Sequence, residues 1–514
     1  MKKLLFYSIS IFILFFYNSS FSLNNGIGYV NTVNKSDIRE KAITQAEKAL
    51  DNATKKAEKD VFRPSYHFAA PANWMNDING PIFFNGYYHI FYQHNPYNDY
   101  WDHMHWGHAK SLDLIHWQHL PIALWPSFDK GELHCFSGCS VIGSNGLPMI
   151  FYTKVTYPEP QDESPYLWPL IAHEQWAAIP EDNDLILWKK HPSNPILSLE
   201  NHGGSDFEPN WRDPFIFKES GRTFMILGGD IDDRATIPIY EAKDNSLLNW
   251  EYRGILYEEP RSKTFFFECP NFFNLDNRWF LIYSAHRPVD YYSGDFDVKN
   301  YKFIPEDKGL IDYGEDFYAT NILKTRDRII LFAWIKGFKE NMGWNGAMII
   351  PRKISTNDKG HIITYPVKEA EYLRKKLLKT YRFNAEAKNY ILENTAEKKL
   401  EIKATFENIK SNNFGFIVFR DNEKDKGLNI TIENSILRVG DIEVPIEQPT
   451  NTEKLTLTIY LDNSVAEVFL NNGEAAVTKV YYPENKCSNA LFFLNNGTVE
   501  VDEIKIWELG IQKD

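Results

Sequence analysis

The sequence predicts an all-β protein: a five-bladed β-propeller followed by a C-terminal β-sandwich. Two observations carry this prediction. Between residues 63 and 375 a polar residue, a strand, a turn pair and a second strand recur five times in that order. From about residue 376 the chain becomes a series of short alternating strands punctuated by Asn and Gly, with no helical stretch. Strand hairpins repeating at about 50 residues or more are the signature of propeller blades, and regular short strands with such turns are the pattern of a sandwich.

At the N-terminus, Met1-Lys2-Lys3 precedes an apolar run from Leu4 to Tyr17 and then Ser20-Phe21-Ser22. A basic start, an apolar middle and small residues at the end read as a secretory signal over residues 1–22. The run is shorter than the roughly 20 apolar residues of a membrane span. The expectation is a secreted or periplasmic protein with no membrane segment once the signal is removed. Residues 23–62 are a polar helical or linker segment in which Ala42, Ala46, Leu50, Ala53 and Ala57 recur at helical spacing. Asp37 and Glu40 stand where a capping pair would start that helix.

Five hairpins follow. Asn85-Gly86 joins Pro81-Ile82-Phe83-Phe84 to the run from Tyr87 to Gln93, and Asn145-Gly146 joins Cys139-Ser140-Val141-Ile142 to Pro148-Met149-Ile150-Phe151-Tyr152. Ser220-Gly221, Asp276-Asn277 and Arg326-Asp327 do the same for the third, fourth and fifth repeats, so that the turns lie 60, 75, 56 and 50 residues apart. Such pairs favour the left-handed backbone that a tight hairpin requires. The first four repeats open on Asp77, Ser137, Asp213 and Glu268. Equivalent blade positions would bring these side chains together at one end of the central channel, held there by a rigid scaffold. The sandwich, over residues 376–514, is read from strands at Leu400 to Phe406, Phe414 to Phe419, Leu428 to Ile432, Leu455 to Leu461, Val465 to Leu470 and Ala490 to Leu494. No Gly/Ser-rich or Pro-rich linker precedes it, so it is expected docked on the propeller.

Composition narrows the function. A net charge of −13 argues against nucleic acid and anionic membranes as partners. The aromatic content of 15% suits sugar stacking and an all-β core equally. Four cysteines are too few for a disulfide scaffold; Cys135 and Cys139 are left open between a pair across a turn and two buried thiols. His103, His105 and His108 alternate faces along a strand, and Asp230, Asp232 and Asp233 lack the glycine and glutamate of a calcium loop. The reading is therefore no metal, with the aspartates forming a solvated acidic turn. Three carboxylates remain: Asp77, Asp213 and Glu268. Each alone could be an ordinary turn-forming residue. As a set at repeat openings they point to glycoside hydrolysis, where one carboxylate meets the cation-like sugar and another protonates the leaving oxygen. An ionised third neighbour would raise the acid's proton affinity.

Trp74-Met75-Asn76-Asp77-Ile78-Asn79-Gly80, Arg212-Asp213-Pro214 and Glu268-Cys269-Pro270 resemble the three signature motifs of glycoside hydrolase family 32, the invertases, levanases and inulinases. The resemblance extends through Phe91-Tyr92-Gln93, Trp101, Phe136-Ser137-Gly138, Asp316-Phe317-Tyr318-Ala319, Trp344 to Arg352, and Leu461 to Phe469, nearly the whole mature chain. It implies a retaining β-fructofuranosidase acting on sucrose or a fructan, inulin or levan, without cofactor or metal. Asp77 would be the nucleophile, Asp213 the transition-state stabiliser and Glu268 the acid and base. Asn76, Gln93, Trp101, Phe136, Ser137, Arg212, Tyr318 and Trp344 would bind the substrate. A fructan-binding propeller without catalysis is disfavoured by the presence of all three carboxylates, and an arabinoside-cleaving five-bladed relative by Glu268-Cys269-Pro270. The sequence departs from the family pattern at Ile78, Asp102-His103 and Asn271, changes expected at the pocket rim.

Overall fold

The computed structural model describes residues 35–156, 171–421, 426–446, 454–484 and 487–511. The signal sequence expected over residues 1–22 lies outside the described residues. The N-terminal helix spans Lys35–Ala57 and lays Leu50, Ala53 and Ala57 against the core of the propeller. It already includes Asp37, so that residue sits within the first turn rather than ahead of it as a cap.

Five antiparallel sheets follow in chain order, each beginning with the strand nearest the central channel. These inner strands are Asn73–Phe84, His134–Ile142, Arg212–Glu219, Glu268–Leu275 and Phe317–Lys324. Their hairpin turns form where the sequence placed them. Asn85 and Gly86 have φ of 47° and 82°, Ser220 and Gly221 50° and 74°, and Asp276 and Asn277 52° and 64°, the two left-handed residues that match strand twist. Aromatic side chains fill the wedge between blades: Phe217 of blade three stands 5.2 Å from Phe272 of blade four, which stacks on Trp279 at 4.6 Å. The ring is closed by Trp344–Asn345, which leaves blade five and pairs in parallel with Asn73 and Trp74 at the start of blade one.

One irregularity repeats in all five blades. Just inside each inner strand, two residues stand against one on the partner strand, between Met75 and Ile78, Cys135 and Gly138, Arg212 and Phe215, Glu268 and Asn271, and Tyr318 and Asn321. This is a β-bulge, which releases its residues from the ladder and re-aims their side chains. The polar openings are therefore not quite equivalent. Asp77 and Ser137 are the second bulged residue, Asp213 the first, and Glu268 the paired residue ahead of it. The expectation of matched positions holds only to within two residues.

The sandwich packs two six-stranded sheets over a core that includes Ile402, Phe406, Phe416, Ile459 and Phe492. Six of its twelve strands escaped the sequence reading: the short Asn389–Ile391, Ile436–Val439, Ile442–Pro445 and Ala475–Val480, and two long ones, the edge strand Arg374–Glu386, rich in lysine and arginine, and its neighbour Thr498–Leu509, where charges alternate with apolar residues. Charged edge strands blunt the apolar pattern by which strands are recognised.

The two domains meet across a buried ionic cluster. Asp462 of the sandwich accepts from the backbone N–H of Tyr66 and His67 at 2.8 and 2.9 Å and from His67 Nδ1 at 3.0 Å. His67 Nε2 reaches Glu467 at 3.0 Å, and Arg352 bridges Glu467 and Asp312 at 3.2 and 2.8 Å. Direct contact through such a cluster is docking, as expected from the missing linker.

Candidate active site

Where the inner strands begin, a pocket of about 400 Å³ opens at one end of the channel. It gathers Asp77, Asp213 and Glu268 with Asn76, Gln93, Trp101, Phe136, Ser137, Arg212 and Tyr318. A larger cavity, about 640 Å³, lies at the other end of the same strands. Its lining is mainly apolar, from Ile82, Phe83, Ile142, Phe217 and Leu323, with exposed Lys218, Lys324 and Arg326. The converging carboxylates are at the smaller opening, so the chemistry is sought there.

Each carboxylate is held differently. Asp77 accepts from Ser137 Oγ at 2.5 Å and Asn76 Nδ2 at 2.9 Å, with Cys269 Sγ at 3.4 Å. Trp74 Nε1 donates to Asn76 Oδ1 at 2.7 Å, which turns the amide nitrogen towards Asp77. Burial raises the pKa of Asp77, the bonds from Ser137 and Asn76 oppose that, and the charge of Glu268 adds to it. Asp213 sits at φ 65° in its bulge and accepts the backbone N–H of Cys269 at 3.0 Å. Its burial, opposed by Arg212 but reinforced by Glu268 and Asp77, pushes its pKa to about 7. Glu268 accepts from Arg212 Nη2 at 2.7 Å and Tyr318 Oη at 2.5 Å, with His286 Nε2 at 3.4 Å. Burial alone would raise its pKa; the bond from His286, the charge of Arg212 and the bond from Tyr318 reverse that and hold it at about 2. The surroundings thus raise the proton affinity of Asp77 and Asp213 and lower that of Glu268.

Around them, Gln93 Nε2 donates to the Cys135 carbonyl at 2.8 Å, and Trp101 stacks on His134 at 5.0 Å and meets Phe136 edge-on at 5.9 Å. Trp101 therefore forms a wall of the pocket rather than core packing. Trp344, expected among the substrate-binding residues, is not there: it is 1% exposed, donates Nε1 to Asp60 at 2.7 Å and packs on Phe338. Its place is taken by Trp334, which stands opposite Tyr318 in the hairpin of blade five. Asn210, Cys269, His286 and Lys336 also line the pocket and were not singled out from sequence. His286 and Lys336 just follow the second strands of blades four and five, and extending each hairpin past the inner strand would have found them.

The other expectations resolve as follows. Cys135 and Cys139 are two free, buried thiols. Asp230 is no solvated turn residue; it is 1% exposed in a strand and accepts from Asn210 Nδ2 at 2.9 Å, while Asp232 and Asp233 form the exposed turn. Of the family departures, Asp102 is at the surface paired with His103. Ile78 is 1% exposed in the core of blade one, and Asn271 is buried within the channel, so neither is at the rim. Among the described residues, no group of three or more His, Cys, Asp or Glu is placed to hold a metal ion.

A family model described as Glycosyl hydrolases family 32 N-terminal domain matches residues 67–366, and one described as Glycosyl hydrolases family 32 C terminal matches residues 369–508. The chain is 28% identical to the sucrose-6-phosphate hydrolase of Escherichia coli, over 88% of this chain and 96% of that one. It is 30% identical to the levanase of Bacillus subtilis, over 87% of this chain and 70% of that one. Among solved structures, the GH32 β-fructofuranosidase of Bombyx mori shares the fold with a TM-score of 0.75 at 24% identity, covering 92% of this chain and 98% of that one.

Proposed function

The chain belongs to glycoside hydrolase family 32, and from that membership we propose that it is a retaining β-fructofuranosidase releasing terminal fructosyl units from sucrose or a fructan to water. The observation that carries this reading is the convergence of Asp77, Asp213 and Glu268 in one pocket, each with its own set of donors. Asp77, oriented by Ser137 and Asn76, attacks the anomeric carbon. The bond to the leaving oxygen breaks as Glu268 gives that oxygen its proton. Glu268, now a carboxylate, takes a proton from water, whose oxygen attacks the same carbon and frees Asp77. Asp213 accepts hydrogen bonds from the sugar hydroxyls, which grow stronger as positive charge develops.

These steps require a proton on Glu268, whereas its surroundings lower its proton affinity and raise that of Asp213. Sugar hydroxyls donating to Asp213 favour its ionised form, and the contact of Glu268 with His286, whose side chain is 59% exposed, is the one that a leaving group can displace. Both changes move the proton in the productive direction. A leaving group bearing phosphate is the second reading, favoured by His286 and Lys336 beside Glu268 and by a relative named sucrose-6-phosphate hydrolase. The basic, apolar N-terminus further supports export, tested by sequencing the N-terminus of the protein recovered from the periplasm or the medium.

The test is product analysis with sucrose, sucrose 6-phosphate, inulin and levan, for the wild type beside Asp77→Ala and Glu268→Ala. Release of fructose, formed first as its β-anomer, by the wild type alone, is the expected result. No fructosyl product from any of the four substrates would overturn the proposal.

A further inference from the structure

Between the pocket and the far cavity, the channel narrows to a chamber of about 10 Å³ whose walls include Asn79, Gly138, Asp213, Asn271 and Asn321. Asn79 is 1% and Asn271 2% exposed, and each has one polar atom without a partner: Asn79 Nδ2 and Asn271 Oδ1. The orientation of Asn79 is set from its other end, because Asn79 Oδ1 accepts the backbone N–H of Gly138 at 3.3 Å. Asn321 Nδ2 in turn donates to the Gly138 carbonyl at 3.1 Å, so the asparagines brace one backbone unit from two blades. The chamber thus presents one amide N–H, one amide carbonyl and the underside of a carboxylate whose bonds from Cys269 fall on Oδ2.

Buried polar groups in native proteins are paired, with protein or with ordered water. A space of about one water-sized probe with two to four polar partners suits a single water molecule. The chemistry excludes simple ions: the Asn79 N–H faces a cation unfavourably, and the Asn271 carbonyl and Asp213 repel an anion. A species that both accepts and donates is required.

We propose that this chamber binds one water molecule, which accepts from Asn79 Nδ2, donates to Asn271 Oδ1 and donates its second proton to Asp213 from beneath, making Asn79 and Asn271 positioning residues for that carboxylate. The inference rests on the reading of Asp213 as an ionised acceptor of substrate hydroxyls. A donor beneath the carboxylate favours its charged form; losing it raises the proton affinity of Asp213. Asn271 is also where the sequence departs from the family's usual aspartate. A neutral amide there leaves Asp213 without a further carboxylate at its back.

Two measurements test this. A high-resolution crystal structure of the wild type should show a single peak within hydrogen-bond distance of Asn79 Nδ2, Asn271 Oδ1 and Asp213. A dry chamber, or a peak bonded to neither asparagine, overturns the proposal whatever the enzyme's substrate proves to be. Then kcat/KM for the best substrate is followed against pH in Asn79→Leu, Asn271→Leu and the double variant. Each single change should move the limb set by Asp213 to higher pH, and the double variant should move it no further, since one water accounts for both. Unmoved limbs, or shifts that add, overturn the positioning role. Failure of every variant to fold leaves the wild-type density as the deciding result, whereas absence of fructosyl release by the wild type would sink the hydrolase reading instead.

Discussion

The protein buries two clusters of three carboxylates, and they are built to opposite ends. In the pocket, Asp213 and Glu268 share one guanidinium, Arg212, Glu268 also meets the half-exposed imidazole of His286, and Asp77 is held by Ser137 and Asn76. At the domain interface, Asp312, Asp462 and Glu467 share Arg352 and His67, whose side chains are fully buried. The second cation decides the difference. At the interface burial is overcome, and Asp462 and Glu467 are held below their ordinary values by His67 and Arg352. In the pocket compensation falls short for Asp213, whose pKa rises to about 7. The fully paired cluster holds two domains together; the underpaired one leaves carboxylates of raised proton affinity, which the proposed chemistry would use.

The largest effect should come from breaking the paired cluster. Arg352→Met leaves Asp312 and Glu467 buried without their guanidinium, and removing one partner of a buried ion pair costs about 3–5 kcal/mol. Chemical denaturation should show that loss; an unchanged midpoint would mean the interface carries little of the stability.

His67 sharpens the comparison through pH. Burial lowers its pKa, but Asp462 and Glu467 more than reverse this and raise it to about 9 in the folded protein, above the ordinary value of about 6.5 in the unfolded chain. Its contribution, on the order of 3 kcal/mol, is therefore fully present below about pH 6.5 and is lost as pH rises through about 9. Denaturation midpoints should fall across that window, and His67→Gln should flatten the fall.

In the pocket the corresponding change unlocks rather than breaks. The bond from His286 is the chief cause that lowers the pKa of Glu268 against its burial. His286→Ala should raise that pKa in the free protein and carry the limb of kcat/KM set by Glu268 to higher pH, with stability little altered because the side chain is largely exposed. The smallest effect belongs to the misplaced tryptophan. Trp344→Phe removes one hydrogen bond, to Asp60, at about 1 kcal/mol of stability, and should leave KM alone, whereas Trp334→Phe in the pocket should raise KM.

These contrasts also show what a sequence displays and what it hides. The hairpins were legible because the turn pairs, three of them left-handed at both residues, sit between apolar runs, and the three carboxylates were legible because they open such hairpins. The bulges were not, since an extra residue in one strand is defined only against its partner. That is why Glu268 was set level with Asp77 although it precedes the bulge. Trp344 and Trp334 are ten positions apart in an aromatic-rich stretch, and only pairing distinguishes the one facing Tyr318 from the one facing Asp60. Asn271 looked like a rim residue from its place after a catalytic motif, but the bulge turns it down the channel. The interface cluster joins residues nearly 400 positions apart, and no local pattern announces it.

The ring closure bears on how the molecule is made. Blade one acquires its last neighbour from Trp344–Asn345, so its first strand waits for almost the entire propeller before its second pairing exists. Contacts so distant along the chain form late and slowly. Until they form, an exposed strand edge and an open channel invite association with other chains. The N-terminal helix, packed on the same core through Ala57 and tied by Lys56 to the carbonyl of Asn341 in the closing segment, seals that seam from outside. Its removal should therefore show first in the yield of refolded protein, before any change in the chemistry of the pocket.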